Sequence, residues 1–145
     1  MAGESIGWKS QLWMHNGTAL VRVLGVTEIT PPSPELDEVE VTDLDAANRY
    51  RSFIPALRDP GMCEATVNYV GGSTTDTLLR AAFLAADIRQ FKIVYSDDDG
   101  TPLRQITFNG FVKTLSEPTL SADSVKQVSV GIRVSGAPVE AAATA

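Results

Sequence analysis

The stretch MCEATVNYVGGSTTDTLLRAAFLAAD, residues 62–87, changes its hydrophobic period halfway along. From Met62 to Val70, Cys63, Ala65, Val67 and Tyr69 share one face while Glu64, Thr66 and Asn68 share the other, the period of two that belongs to a half-buried strand. Gly71-Gly72 then frees the backbone, Ser73 or Thr74 can cap, and Asp76 sits at the positive end of a helix. Leu78, Leu79, Ala82, Phe83 and Ala86 follow at helical spacing, which predicts one helix ending near Asp87. Burying each large side chain of that face contributes roughly 1.5 to 3 kcal/mol, so the helix is expected to lie on a sheet.

Outward from this stretch the pattern is almost entirely strand. Ile6 to Met14 alternates loosely, His15-Asn16-Gly17 is a hairpin-type turn, and Ala19 to Val26 is expected to return as a second strand. Thr27 to Glu35, with Pro31, Pro32 and Pro34, is expected to be an extended connector. Phe91 to Tyr95 and Leu103 to Leu115 flank the turn residues Ser96-Asp97-Asp98-Asp99-Gly100. Ile106, Phe108, Gly110 and Val112 share one face; Phe111 interrupts the polar one and is a candidate contact. Val128, Val130, Ile132 and Val134 alternate in a last strand, and from Gly136 the Ala-rich remainder shows no pattern. The expected fold is mainly β: an antiparallel β-sandwich or a curled, barrel-like sheet with one α-helix. Residues 1–138 are expected to form the domain and residues 139–145 a flexible C-terminal tail.

A chain of 145 residues is long enough to bury a sufficient core without disulfides or metal. Its net charge of -6 argues against a surface built to grip nucleic acid or anionic lipid. Cys63 is alone, so no intrachain disulfide forms, and it reads as a small buried apolar residue. The N-terminal stretch lacks the pattern of a signal peptide and no apolar run is long enough to span a bilayer, so a chain made or assembled in a cytoplasm, without membrane anchoring, is expected.

One segment resists this scheme. In VEVTDLDAANRYRSFIPALRD (Val39 to Asp59), Val39 and Val41 oppose Glu38, Glu40 and Thr42, and then the alternation stops. Tyr50, Phe53, Ile54 and Leu57 are interleaved with polar residues, and Pro55 and Pro60-Gly61 are expected to interrupt any strand or helix. Long loops are uncommon unless functional, and these apolar side chains need cover: either another molecule or the chain's own domain.

Nothing in the sequence reads as an active site, a cofactor site or a metal site. His15, the single histidine, lies in a predicted turn. Asp97-Asp98-Asp99-Gly100 lacks the spacing of a calcium loop, and Gly71-Gly72-Ser73-Thr74 lacks the lysine of a phosphate loop. A non-enzymatic protein is expected. A β-sandwich binding module would show clustered exposed aromatics, for which Trp8 and Trp13 are the only candidates.

The order of features resembles the major tail protein, or tail tube protein, of long-tailed (siphovirus-type) bacteriophages. The resemblance rests on Glu38 to Asp59, the helix after Gly71-Gly72, VYSDDDG (Val94 to Gly100), ITFNGFVKTLS (Ile106 to Ser116) and a last strand ending in Val134-Ser135-Gly136. It covers roughly Ile6 to Pro138 and departs at Pro55-Ala56-Leu57, where a glycine before the leucine would be expected. It implies a virion protein, assembled in the bacterial host cytoplasm, whose hexameric rings stack into a tube through which DNA passes without specific binding. Implied partners are copies of itself and the tail tip, tape measure and terminator proteins. Gene transfer agents and contractile systems build related tubes.

On this resemblance the contact between rings falls on Thr42, Asp43, Leu44, Asp45, Arg49, Tyr50, Arg51, Phe53, Ile54, Leu57, Arg58 and Asp59, with Met1 to Gly7 and the residues after Gly136 as further candidates. Glu64, Asp97, Asp98, Asp99, Glu117 and Asp123 are candidates for an acidic lumen that repels DNA phosphate. A tail connector or terminator ring, or a binding module, is the alternative.

Overall fold

The computed structural model describes residues 10–96 and 102–142. In chain order these form β1 (Gln11–His15), β2 (Leu20–Arg22), β3 (Val26–Thr30), β4 (Glu35–Glu40), β5 (Phe53–Asp59), β6 (Met62–Asn68), α1 (Thr74–Ala85), β7 (Arg89–Ser96), β8 (Pro102–Leu115) and β9 (Gln127–Ala142). Seven strands make one antiparallel sheet in the order β2-β1-β7-β8-β9-β6-β3, and β4 pairs with β5 alone.

That strand order forces curvature. Its two edge strands, β2 and β3, are separated in the chain by residues 23–25. A flat sheet of seven strands would hold its edges about 29 Å apart, whereas four backbone steps reach at most about 14 Å. The sheet therefore curls until its edges approach. No ladder joins β2 to β3, so it is an open curl and not a closed barrel.

The concave face is the core. Leu12, Met14, Cys63, Ala65, Val67, Phe91, Ile93, Ile106, Phe108, Val112 and the alternating valines and isoleucine of β9 meet there with Val23. Phe91 and Phe108 are cross-strand partners whose rings stack at 5.6 Å between centroids. In the Phe108-Asn109-Gly110-Phe111 stretch, Phe108 and Gly110 face inward and are buried. A Cβ on Gly110 would collide with the backbone carbonyl of Arg133 on β9, so only glycine lets the two strands approach there.

Helix α1 forms where the period changed. The Ser73 hydroxyl accepts from Asp76 N at 3.2 Å as N-cap, and Ala86, in the left-handed region at φ 52, ends the helix. Thr75 Oγ1 accepts from Leu24 N at 3.1 Å, tying the helix to the link between the sheet edges. Arg80 bridges Asp76 at 3.0 Å and Glu117 at 3.2 Å, and these two carboxylates raise its pKa. The buried line is Thr75, Leu79 and Ala82. Phe83 and Ala86, expected on that line, are exposed. Phe83 lies about 40° from Leu79 on the side opposite Ala82, at the margin of the buried line, and Ala86 already belongs to the cap.

Four further expectations change. The strand placed at Ala19 to Val26 divides into β2 and β3, because Val23 turns into the core and the chain then pairs with β6 instead of β1. The proline connector shrinks to residues 31–34. Pro55 does not interrupt a strand: it sits inside β5, opposite Glu38, in a two-stranded pair where a missing N–H on an outer edge costs no ladder bond. The remainder after Gly136 is not patternless in space: β9 continues to Ala142, with Val139 opposite Thr107 and Ala142 opposite Arg104. Of the proposed flexible tail, residues 139–142 thus lie in a strand, and residues 143–145 are outside the described residues.

Cys63 is fully buried, and burial pushes its thiol up from 9.0 to about 12, with the Glu64 carboxylate adding to the effect. The folded chain keeps a proton that the unfolded chain releases near 9.0. The thiol's contribution to stability is therefore complete below that pH and is lost as pH rises toward about 12. Native protein at pH 8 is expected to resist an aromatic disulfide reagent for hours and to react within minutes once denatured. Rapid labelling without denaturant would show that β6 is not held in the core.

Candidate assembly surface

The β4–β5 pair is an arm. Its register is Glu35 opposite Asp59, Leu36 opposite Arg58, then Glu38 opposite Pro55, Val39 opposite Ile54 and Glu40 opposite Phe53. Between Leu36 and Glu38 the register shifts, so Ala56 and Leu57 together face Asp37 in a bulge, at the place where the sequence departs from the resemblance.

Local hydrogen bonds build the tip. Val41 N donates to Ser52 O at 2.9 Å, Ser52 N to Thr42 Oγ1 at 2.7 Å, and Asp45 N to Asp43 Oδ1 at 3.0 Å. Asn48 and Arg49 follow at φ 55 and 62, a left-handed turn that is unusual for a residue with the bulk of arginine.

The base is anchored to the body. Asp59 Oδ1 accepts from Gly61 N at 2.9 Å and from the Arg133 guanidinium at 3.0 Å, and these two donors hold its carboxyl below the ordinary range, the Gly61 amide first. Gly61 has φ +84, and a Cβ there would meet Ser33 O at 2.6 Å, so the crossing at the arm's root requires glycine twice over.

Between tip and base the arm covers nothing of its own domain. Leu36, Val39, Val41, Tyr50, Phe53, Ile54 and Leu57 are all exposed, and Leu44 at the tip is fully so. An isolated two-stranded ribbon is marginal in water, and apolar residues exposed together in this way mark a contact surface. Of the twelve residues placed at the ring contact from sequence, Phe53, Ile54, Leu57, Arg58 and Asp59 lie on β5, and Thr42, Asp43, Leu44, Asp45, Arg49, Tyr50 and Arg51 lie in the tip. Leu36, Val39 and Val41 lie on the same surface but outside those twelve; the signal for them is the partner strand, which Pro55 conceals.

Of the acids proposed for the lumen, Glu64, Glu117 and Asp123 are among the described residues, each in a different setting. Glu64 stands on the outer face of β6, diagonal to Glu28 on β3, and both line a shallow polar trough of 160 Å³ with Thr66, Thr114 and Ser129. Glu117 is paired with Arg80 beside the helix, and Asp123 lies in the turn at residues 121–123, where its N–H donates to Ser121 Oγ. Asp97, Asp98 and Asp99 are outside the described residues, as are Trp8 and residues 1–7 of the N-terminal arm.

The remaining candidates have structural partners. His15 Nδ1 accepts from Gly17 N at 3.0 Å in the turn after β1. Trp13 donates to Gln11 Oε1 at 2.9 Å, and its ring carries the Lys92 ammonium at 4.8 Å. Asp87 is paired with Arg89 at 2.7 Å, which lowers its pKa. Among the described residues no group of three or more His, Cys, Asp or Glu side chains is arranged to hold a metal ion. No helix among them is long and apolar enough to cross a membrane.

Comparison with known proteins agrees with this architecture. No curated protein sequence matches the chain. Among solved structures, a chain of the tail of an empty gene transfer agent particle, refined with C6 symmetry, superposes with a TM-score of 0.74 at 14% identity, covering 96% of this chain and 100% of that one. A chain of the six-fold symmetrised baseplate of the anti-feeding prophage gives 0.76 at 10% identity, covering 98% of both. The SPP1 tail tube gives 0.69 at 10% identity, covering 97% of this chain and 80% of that one. At these identities the likeness establishes a shared fold. The model of the lambda phage tail tube protein family matches residues 11–141, from the first described strand almost to the end of β9, and the chain belongs to that family.

Proposed function

We propose that this chain is the structural subunit of a phage tail tube, that its copies form rings, six to a ring, and that the β4–β5 arm joins each ring to the next. One observation carries the reading: a body with a complete core bears a two-stranded arm whose apolar side chains are left uncovered. Family membership supplies the setting. Repeated heterologous contacts of this kind make open filaments. In the assembled tail the tip residues Leu44 and Tyr50 seat on the adjacent ring, and tail tip, tape measure and terminator proteins complete the structure. Assembly takes place in the host cytoplasm. The tube is a conduit for DNA, and Glu28 with Glu64 is the pair best placed to give its wall a repulsive patch.

The test is negative-stain electron microscopy of purified protein over rising concentration, with light scattering for mass. Hollow tubes with a regular axial repeat are expected. Closed rings that never stack would instead identify a connector or terminator. A strict monomer, even with tail-tip components added, would overturn the reading.

A further inference from the structure

The arm is divided by charge. Strand β4 carries Glu35, Asp37, Glu38 and Glu40 and no basic residue, while residues 49–58 carry Arg49, Arg51 and Arg58 and no acidic one. Arg58 lies on β5 and Arg49 and Arg51 in the tip, and among the described residues none of these seven charges takes part in an ion pair; the arm's only salt bridge joins Asp59 to Arg133 at its base. Both outer edges of the pair are also unpaired, since β4 and β5 form a two-stranded sheet. Glu35, Asp37 and Glu38 of β4 line an open hollow of 620 Å³ together with Leu36, Val39 and, from β5, Ala56 and Leu57.

We infer that the occupant of this acidic flank is the arginine-bearing flank of the arm of a second copy, and that this pairing fixes the direction in which copies add. The inference rests on the reading of the chain as a tube subunit. The chemistry is complementary in both respects. A guanidinium on a long apolar stem suits a hollow lined by both carboxylates and apolar side chains. A free strand edge is satisfied by another strand edge. Copies arranged head to tail place acid against base at every junction, whereas copies arranged tail to tail would place like charges together, which is unfavourable. The arm thus specifies the sense of assembly as well as its strength.

Charge exchange tests this directly. A chain with Arg49→Glu, Arg51→Glu and Arg58→Glu has two acidic flanks; one with Asp37→Arg, Glu38→Arg and Glu40→Arg has two basic flanks. All six sites lie outside the core, so both variants should unfold within a few degrees of wild type. Each alone is expected to need at least about tenfold more protein to form tubes, a loss that 1:1 mixing reverses because acidic and basic flanks then alternate. A chain carrying all six substitutions should form tubes by itself and fail to copolymerise with wild type. Wild-type tubes with both triple variants polymerising normally would overturn the charge pairing and leave the tube reading intact. So would a folded six-fold variant that cannot assemble. Failure of wild type itself to form tubes under any condition would remove the tube reading, and this inference with it.

Discussion

Removing residues 45–57 is expected to leave a folded monomer that forms no tubes. The deletion takes away the outer part of the tip and nearly all of β5, and none of the core side chains comes from residues 30–59. What is lost is a ribbon whose large apolar side chains already stand in water, so its removal forfeits little buried area. The thermal midpoint should therefore move by only a few degrees. The far-ultraviolet spectrum should retain its strand and helix signature. The anchor at Asp59, Gly61 and Arg133 remains in the shortened chain, so the crossing from residue 33 to β6 is preserved. Assembly should fail completely, because the arm carries eight of the 17 exposed large apolar side chains among the described residues and is the surface proposed to reach the next ring. Normal tubes from the deleted chain would show that rings are joined elsewhere, and a chain that no longer folds would show that the arm belongs to the body.

Phe91→Ala is expected to do the opposite. Phe91 is wholly buried at the centre of the curl and stacked on Phe108. Truncating a core phenylalanine typically costs about 3 to 5 kcal/mol, through lost transfer energy and the cavity left behind. For a chain of this size that corresponds to a fall in thermal midpoint on the order of 10 °C. In a urea titration the midpoint should drop with little change in slope, which separates lost stability from a changed unfolded state. Below its new midpoint the variant should still make tubes, since the arm is untouched. A change under about 1 kcal/mol would mean that β7 and β8 do not close the core as described.

The two variants separate what the sequence exposes from what it hides. Along β6, β7 and β8 the alternation is clean because each strand has one face in the core, and burial imposes a period of two that is written in single letters. Helix α1 was equally legible: its cap, first-turn acid and apolar spacing are local, although the length of its buried line was overestimated at Phe83 and Ala86. The arm was legible as an anomaly and illegible as a structure. Its strands have no buried face, so the alternation of Val39 and Val41, which reads as a half-buried strand, marks no core side, and Pro55 masks the pairing. The end of β9 was hidden for a related reason, since residues 139–142 become strand by pairing with a long neighbour, β8, which overrides their weak propensity.

The amino-acid sequence by itself determined the class of the protein: a mainly β domain with one helix, a self-sufficient core, and a segment too apolar to be left alone in water. The tertiary structure decided everything that depends on which strands become neighbours. It decided that the sheet curls without closing, because residues 23–25 must connect its two edges. It decided that the anomalous segment is a two-stranded arm and not a loop. It decided where the described candidate acids stand, with Glu64 beside Glu28 and Glu117 held by Arg80. Hydrophobic periodicity is a property of each strand and its own buried face, whereas pairing, curvature and charge placement arise between segments far apart in the chain, and no local pattern encodes them.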